Sequence, residues 1–310
     1  MKKIIPIIII YVIICFLIPI LFAKRDGEFW QQISNEISNC QNSPSLLAQK
    51  TIKLLHTKTG EIEELPLDEY LYGVVSAEMP ANFEKEALKA QAVVARTYTI
   101  YKIQNGGKHE EADICDQASC CQAWISKEAR FEKWNEDERE KNWEKIVSAV
   151  EETKGKIITY NNEPINAFFH SNSGGTTESP SNVWGGTGYP YLQTVSTVGE
   201  DAYTQYASEK TLTNEEILEE IKKYHSDIKI DFTNEDEIKI LEHTESGRVK
   251  IIKFGNIEMS GTEARTIFGL KSAMFTIEKT SKNITFKVQG YGHGVGMSQT
   301  GADSLAKLRK

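Results

Sequence analysis

The spacing of hydrophobic positions changes repeatedly along this chain, and each change marks an element. After Met1-Lys2-Lys3, Ile4 to Phe22 runs without a charge. At the helical rise this run spans about 30 Å, the hydrocarbon thickness of a bilayer. A signal peptide shares the basic start and the apolar run, but here Leu21 stands where its cleavage site wants a small residue. Residues 1–23 are therefore predicted to form an uncleaved single-pass transmembrane helix. Residues 24–50, polar and rich in Asn, Gln and Ser, read as a juxtamembrane stalk. Lys24 and Arg25 blunt the charge asymmetry, so the positive-inside rule alone does not orient the anchor.

From residue 51 the pattern becomes that of a mixed fold. Thr51–Leu55 alternates as a first strand, followed by a Thr59-Gly60 turn. Leu67 to Val75 is amphipathic, which predicts a helix capped by Asp68 and ended by Pro80. A second helix follows, with Asn82 as its cap, an Ala-rich face from Ala87 to Ile100, and Gly106-Gly107 at its end. Residues 126–153 read as helical with a break near Asn135, stopping before Gly155. Ile157–Tyr160 and Ile165–His170 read as strands joined by an Asn161-Asn162 turn. Thr213 and Glu216 form a capping box that opens a helix carrying Ile217, Leu218 and Ile221. Short strands are expected around Ile228, Ile238, Ile251 and Phe275, a small helix from Ser260, and a last strand over Ile284–Val288. Helices and strands interleave with uneven lengths, which points to a single α+β domain over residues 51–310 rather than a doubly wound sheet.

A net charge of −8 disfavours nucleic acid as a partner, and 40% apolar residues suffice for a substantial core. The candidate chemistry gathers in a few segments. Glu78 lies in Val74-Val75-Ser76-Ala77-Glu78-Met79-Pro80, and a carboxyl group among such neighbours is poorly solvated, so its pKa should rise. An acid still protonated near neutral pH can protonate a leaving group; an ordinary solvent-facing glutamate at a helix end is the plainer alternative. Arg96, on the next helix, is placed to orient a carboxylate or bind a sugar oxygen, unless it is a surface arginine.

His170-Ser171-Asn172-Ser173-Gly174-Gly175 delivers polar tips into a glycine turn where backbone can approach a ligand. Gly290 to Gln299 winds four glycines around Tyr291 and His293, without the features of a phosphate loop or a dinucleotide fingerprint. His109, Cys115, Cys120 and Cys121 fall within a short stretch. A zinc site of His109, Cys115 and Cys121 is expected, with water or another group as the fourth ligand. Cys120 is left out because adjacent side chains point apart in an extended chain. A disulfide from Cys115 to Cys120 or Cys121 is the competing reading.

Taken in order, five motifs resemble the stage II sporulation protein D family, which is related to the amidase enhancers of bacterial cell-wall turnover. They are Ser76–Pro80, Glu86–Tyr98, Cys121-Gln122-Ala123-Trp124, His170–Gly175 and Gly290–Gln299; Trp124 stands where the family more usually has tyrosine. The resemblance implies a membrane-anchored lytic transglycosylase acting on peptidoglycan glycan strands, preferably peptide-stripped ones, through a shallow glycan cleft. It makes Glu78 the single acid/base. It places Arg96, Tyr291 and an acid near Asp201 at functionally important positions, and these are expected to hold the strand together with His170, Ser173, His293 and Gln299 from the two glycine turns. It also implies a catalytic domain outside the cytoplasm, at the mother-cell membrane facing septal peptidoglycan, with an amidase and a membrane scaffold as partners during engulfment. A glycan-binding enhancer of a partner amidase and a zinc hydrolase are the rival readings.

Overall fold

The computed structural model describes residues 50–308; the predicted anchor and nearly all of the stalk lie outside them. Among the described residues no helix is long and apolar enough to cross a membrane. From Thr51 the chain forms one compact α+β unit.

Strand β1 (Thr51–Leu55) buries Ile52 and Leu54 on one face, as its alternation requires. It pairs antiparallel with β2 (Ile62–Pro66) and parallel with the short β3 (Ile114–Cys115). Helix α1 (Leu67–Glu78) buries Leu67, Tyr70, Leu71, Val74 and Val75, a stripe at helical spacing. Helix α2 (Lys85–Gln104) is buried on most sides, which its small residues Ala87, Ala92 and Ala95 permit. The remainder of the first helical layer is α3 (Lys127–Phe131), capped by Ser126, and α4 (Arg139–Glu151), which packs Ile146, Ala149 and Val150 onto α1 and α2. The single broken helix expected over 126–153 is thus two helices.

A hairpin of β4 (Thr159–Tyr160) and β5 (Glu163–Pro164) turns through Asn161 and Asn162, both in the left-handed region that asparagine tolerates. Then come β6 (Phe169–His170) and the one-turn helix α5 (Pro180–Trp184). The C-terminal part packs two three-stranded sheets. β7 (Ala207–Thr213) leads into α6 (Asn214–Lys222), whose Thr213–Glu216 capping box is formed as expected. β8 (Ile238–His243), β9 (Val249–Phe254) and β10 (Ile257–Ser260) form one sheet, followed by α7 (Gly261–Ile267) with Ser260 as its cap. β11 (Phe275–Lys279) and β12 (Asn283–Gln289) complete the other sheet with β7. Phe254, Phe268, Phe275 and Phe286 stack between the sheets, with Ile217 and Ile221 of α6 in the same core. Ile228 is buried there but lies outside any strand. Finally β13 (Met297–Ser298) pairs parallel with β6, and α8 (Gln299–Leu308) packs back on α2.

Two expected caps differ. Asp68 lies one residue inside α1, buried and paired with Arg96 and Lys154, while Pro66 occupies the cap position. Helix α2 starts three residues after Asn82, and the N–H of its cap residue Glu84 donates to Asp303 Oδ1 of α8 at 2.5 Å. The acceptor comes from the far end of the chain, so no local capping residue is needed.

Candidate active site

Glu78 is the last residue of α1, where Met79 turns extended ahead of Pro80 and the carboxyl group leaves the helix layer. Its Oε1 accepts the Ala123 N–H at 2.7 Å, and Gln299, the first residue of α8, hydrogen-bonds the same carboxyl group. Burial raises the Glu78 pKa above the usual carboxylate value, against the lowering effect of those two donors. Burial therefore shifts the balance toward the acid form where it meets the groove.

That groove is two pockets meeting at Glu78, Ser171 and Gln299. The smaller, ≈ 290 Å³, runs past Arg130 and Trp134. The larger, ≈ 700 Å³, runs past His170, Trp184, Tyr291 and His293. β6 and β13 hold its wall: their parallel pairing and the Asn172–Tyr291 backbone bridge clamp the 169–173 and 291–298 segments together. Gly290 and Gly292 adopt positive φ there, and a Cβ on either would come within 3 Å of Asn172, Gly174 or His170 atoms, so the close approach needs glycine.

The expected site residues fall into two groups. Tyr291, 39% exposed, presents its ring to the groove, and His170, His293 and Gln299 line it. His170 is buried, and its Nδ1 must donate to the Val295 carbonyl at 3.1 Å, which leaves Nε2 as an acceptor without a protein partner. His293 Nδ1 accepts the Val295 N–H at 3.0 Å. Burial, reinforced by neighbouring cationic groups, drops the two imidazoles to about 3 and about 4, so both are neutral at physiological pH.

Arg96, Ser173 and Asp201 do not reach the groove. Arg96 is fully buried: its guanidinium donates to the carbonyls of Val150, Thr153 and Lys156 and to Asp68 Oδ1, pinning the end of α4 to α1 and α2. A strand-binding role for it is corrected to a structural one, because no sugar oxygen can reach a side chain enclosed by four acceptors. Ser173 is buried too, donating through N–H and Oγ to Glu200. Asp201 is exposed on a 3-10 turn (Glu200–Ala202), and its neighbour Glu200 is the residue that faces inward. Burial alone would raise Glu200, but donors including Ser173, Ser298 and Thr197 hold it down at about 2. Adjacent residues on such a turn point about a third of a turn apart, so a one-residue error in register exchanges the buried carboxylate for a solvated one.

The sequence reading also missed Ala123, Trp134 and Trp184. Ala123 acts only through its backbone N–H, which no side-chain pattern signals. Trp184, 51% exposed, is set off by Gly185 and Gly186, and that unprotected aromatic was a readable cue.

Beside the groove, one ligand atom each from His109, Cys115, Cys120 and Cys121 lies within 4.8 Å of all the others. His109 Nε2 is 3.6 Å from Cys120 Sγ and 3.8 Å from Cys121 Sγ. Tetrahedral zinc with N and S ligands separates them by roughly 3.3–3.8 Å, so a small movement closes the set. The three cysteines are free thiols, not a disulfide. The exclusion of Cys120 is corrected: Cys120 and Cys121 sit in a turn, with both N–H groups on the Gln117 carbonyl, so the alternation of a strand does not apply. Cys120 offers a fourth protein ligand atom at the place where water or another group is expected from the sequence.

Comparison with known proteins follows the same order along the chain. A family model described as stage II sporulation protein matches residues 55–160, and a domain of unknown function matches 196–296. Stage II sporulation protein D of Bacillus subtilis (strain 168) is 32% identical over 296 residues, covering 93% of this chain and 84% of that protein. The protein of the same name in Bacillus amyloliquefaciens is 32% identical over 84% of this chain and 74% of its own length. The amidase enhancer of Bacillus subtilis (strain 168) is 28% identical over 76% of this chain, which corresponds to 37% of that longer protein.

Proposed function

Because the chain belongs to the stage II sporulation protein D family, we propose that it is a lytic transglycosylase cutting MurNAc–GlcNAc bonds of peptide-stripped peptidoglycan strands. The observation that carries this reading is a solitary acid. Among the described residues lining the two pockets, Glu78 is the only carboxyl group. Ordinary glycoside hydrolysis needs two; a transglycosylase needs one, because the sugar supplies its own nucleophile.

Neutral Glu78 donates its proton to the glycosidic oxygen as the C1–O bond breaks. The carboxylate so formed, still held by the Ala123 N–H, takes the proton of the muramic C6 hydroxyl as that oxygen closes onto C1. The product is a 1,6-anhydro end, and no water is consumed. Trp134 on one side of Glu78 and Trp184 on the other offer flat apolar faces on which sugar rings stack. His170 Nε2, an acceptor with no hydrogen, suits a sugar hydroxyl or acetamido N–H.

Zinc is assigned to His109, Cys115, Cys120 and Cys121. With all four positions taken by protein, a bound ion would brace the loop and leave no open site for water, which disfavours the zinc-hydrolase reading. The anchor over residues 1–23 would hold the domain outside the cytoplasm, where its substrate lies, with an amidase and a membrane scaffold as partners.

The similarity to an amidase enhancer favours one second reading, a module that grips glycan and stimulates an amidase without cutting. Incubating the purified full-length chain with amidase-stripped strands, followed by mass spectrometry, separates the two. Anhydro-muramic ends support the transglycosylase; strands bound but uncut support the enhancer.

A further inference from the structure

The larger pocket is electropositive in a chain whose net charge is −8. Lys102 and Lys108 line it beside the cysteine cluster, and Arg265 lines it beside Tyr291 and His293. Lys271 joins this second group, with Nζ 4.5 Å from the centre of the Tyr291 ring and 3.4 Å from its hydroxyl. None of the four forms an ion pair among the described residues, whereas Lys85, Lys89, Lys154, Lys223, Lys250 and Lys287 on other faces of this acidic chain do. Arg265 is half-buried, and its one protein hydrogen bond is a long one from Nε to the Leu270 carbonyl at 3.4 Å, so the outer guanidinium nitrogens remain for a ligand. A zinc-loaded cluster of one imidazole and three thiolates would carry a single negative charge, which these cations outweigh. Arg265 and Lys102 are partly desolvated, and such cations left without counter-ions in a groove are costly unless an anion visits them.

We infer that Arg265 and Lys271, backed by Lys102 and Lys108, form an anion subsite that takes the free lactyl carboxylate of muramic acid. The inference rests on the glycan reading above and adds the basis of substrate choice. In a peptide-bearing strand that lactyl group is an uncharged amide; once the peptide is removed it is a carboxylate. A guanidinium binds a carboxylate through two parallel hydrogen bonds and has no such match to an amide. The groove therefore tells stripped from unstripped strands by charge at this point, and Arg265 and Lys271 are specificity determinants rather than catalytic residues.

The test measures binding by full-length Glu78→Gln protein in detergent, which keeps strands intact. The probes are amidase-stripped glycan strands and the same strands with their lactyl carboxyl groups capped as methyl amides. Free-carboxylate strands should bind about ten-fold tighter or more, as expected for one charge-assisted pair. That ratio should shrink toward one in Arg265→Gln and in Lys271→Gln, recover in part in Arg265→Lys, and fall with added salt. Thermal melting of each variant separates loss of the subsite from loss of the fold. Equal affinity for the two strand types overturns the inference, as does an unchanged ratio in the well-folded Arg265→Gln/Lys271→Gln variant. If carboxylate strands are preferred but the chain with Glu78 intact never cuts them, the transglycosylase reading fails and the anion subsite stands.

Discussion

In the proposed mechanism Glu78 has to be acidic enough to give up a proton yet protonated when the strand arrives. Its setting meets both demands: burial favours the neutral form, while the Ala123 N–H and Gln299 wait to steady the carboxylate. Because its folded pKa lies above the unfolded value, the group favours folding fully at low pH, and that contribution is lost as pH rises through the raised pKa. Release of anhydro product should fall over the same window, since only the protonated form can act. Glu78→Gln should cut that release by about 10²–10⁴-fold while melting no lower than the parent at neutral pH, because Gln carries no charge to desolvate. Mass spectrometry and melting curves against pH check both parts. Arg96 behaves differently. Removing its guanidinium strands Asp68 and the carbonyls of Val150, Thr153 and Lys156, so Arg96→Ala should cost about 3–5 kcal/mol of stability. Chemical denaturation reads that loss, and Arg96→Lys should not restore it, because one ammonium cannot reach four acceptors. A normal denaturation midpoint together with weakened glycan binding would return Arg96 to the strand.

At the scale of elements, the loop from Ile114 to Trp124 connects the cysteines of the His/Cys cluster to Glu78. Cys121 is followed at once by Gln122, whose buried amide donates to Tyr70 and Thr99, and by Ala123, whose N–H meets Glu78. Trp124 then packs over Gly73 of α1, where a Cβ would come within 2.1 Å of its Nε1. Fixing the cysteines thus fixes the donor that positions the carboxyl group. The purified chain is expected to hold one zinc per molecule by elemental analysis, and chelation should lower its melting temperature. Cys120→Ser should lose the metal as readily as Cys121→Ser; retention of full zinc by Cys120→Ser would restore water as the fourth ligand. The motif Cys121-Gln122-Ala123-Trp124 was visible in the sequence, but its work is done by a backbone N–H and a ring packed on a glycine. Both depend on α1 lying alongside.

Across the whole molecule, the groove is assembled from segments far apart: the end of α1, the cysteine loop, β6, the Tyr291 turn and the start of α8. Helix α8 ties them together, because Asp303 is fully buried and receives the Glu84 N–H, the Tyr203 hydroxyl and the Lys307 ammonium. Asp303→Ala should cost about 1–3 kcal/mol by orphaning these donors and should also weaken glycan binding, since Gln299 shares the helix. Denaturant titration alongside a strand-binding assay measures the two effects. Local chemistry was enough to mark Glu78 as poorly solvated, to place the Thr213–Glu216 capping box and the Asn161-Asn162 turn, and to gather His109 with the cysteines, because each depends on neighbours within a few residues. Tertiary structure decided what depends on distant partners. It enclosed Arg96, turned Glu200 inward in place of Asp201, capped α2 with Asp303, and left Arg265 and Lys271 facing a groove without counter-ions. The physical reason is that burial and charge pairing belong to the packed chain, and a linear pattern records only which side chains are available to be packed.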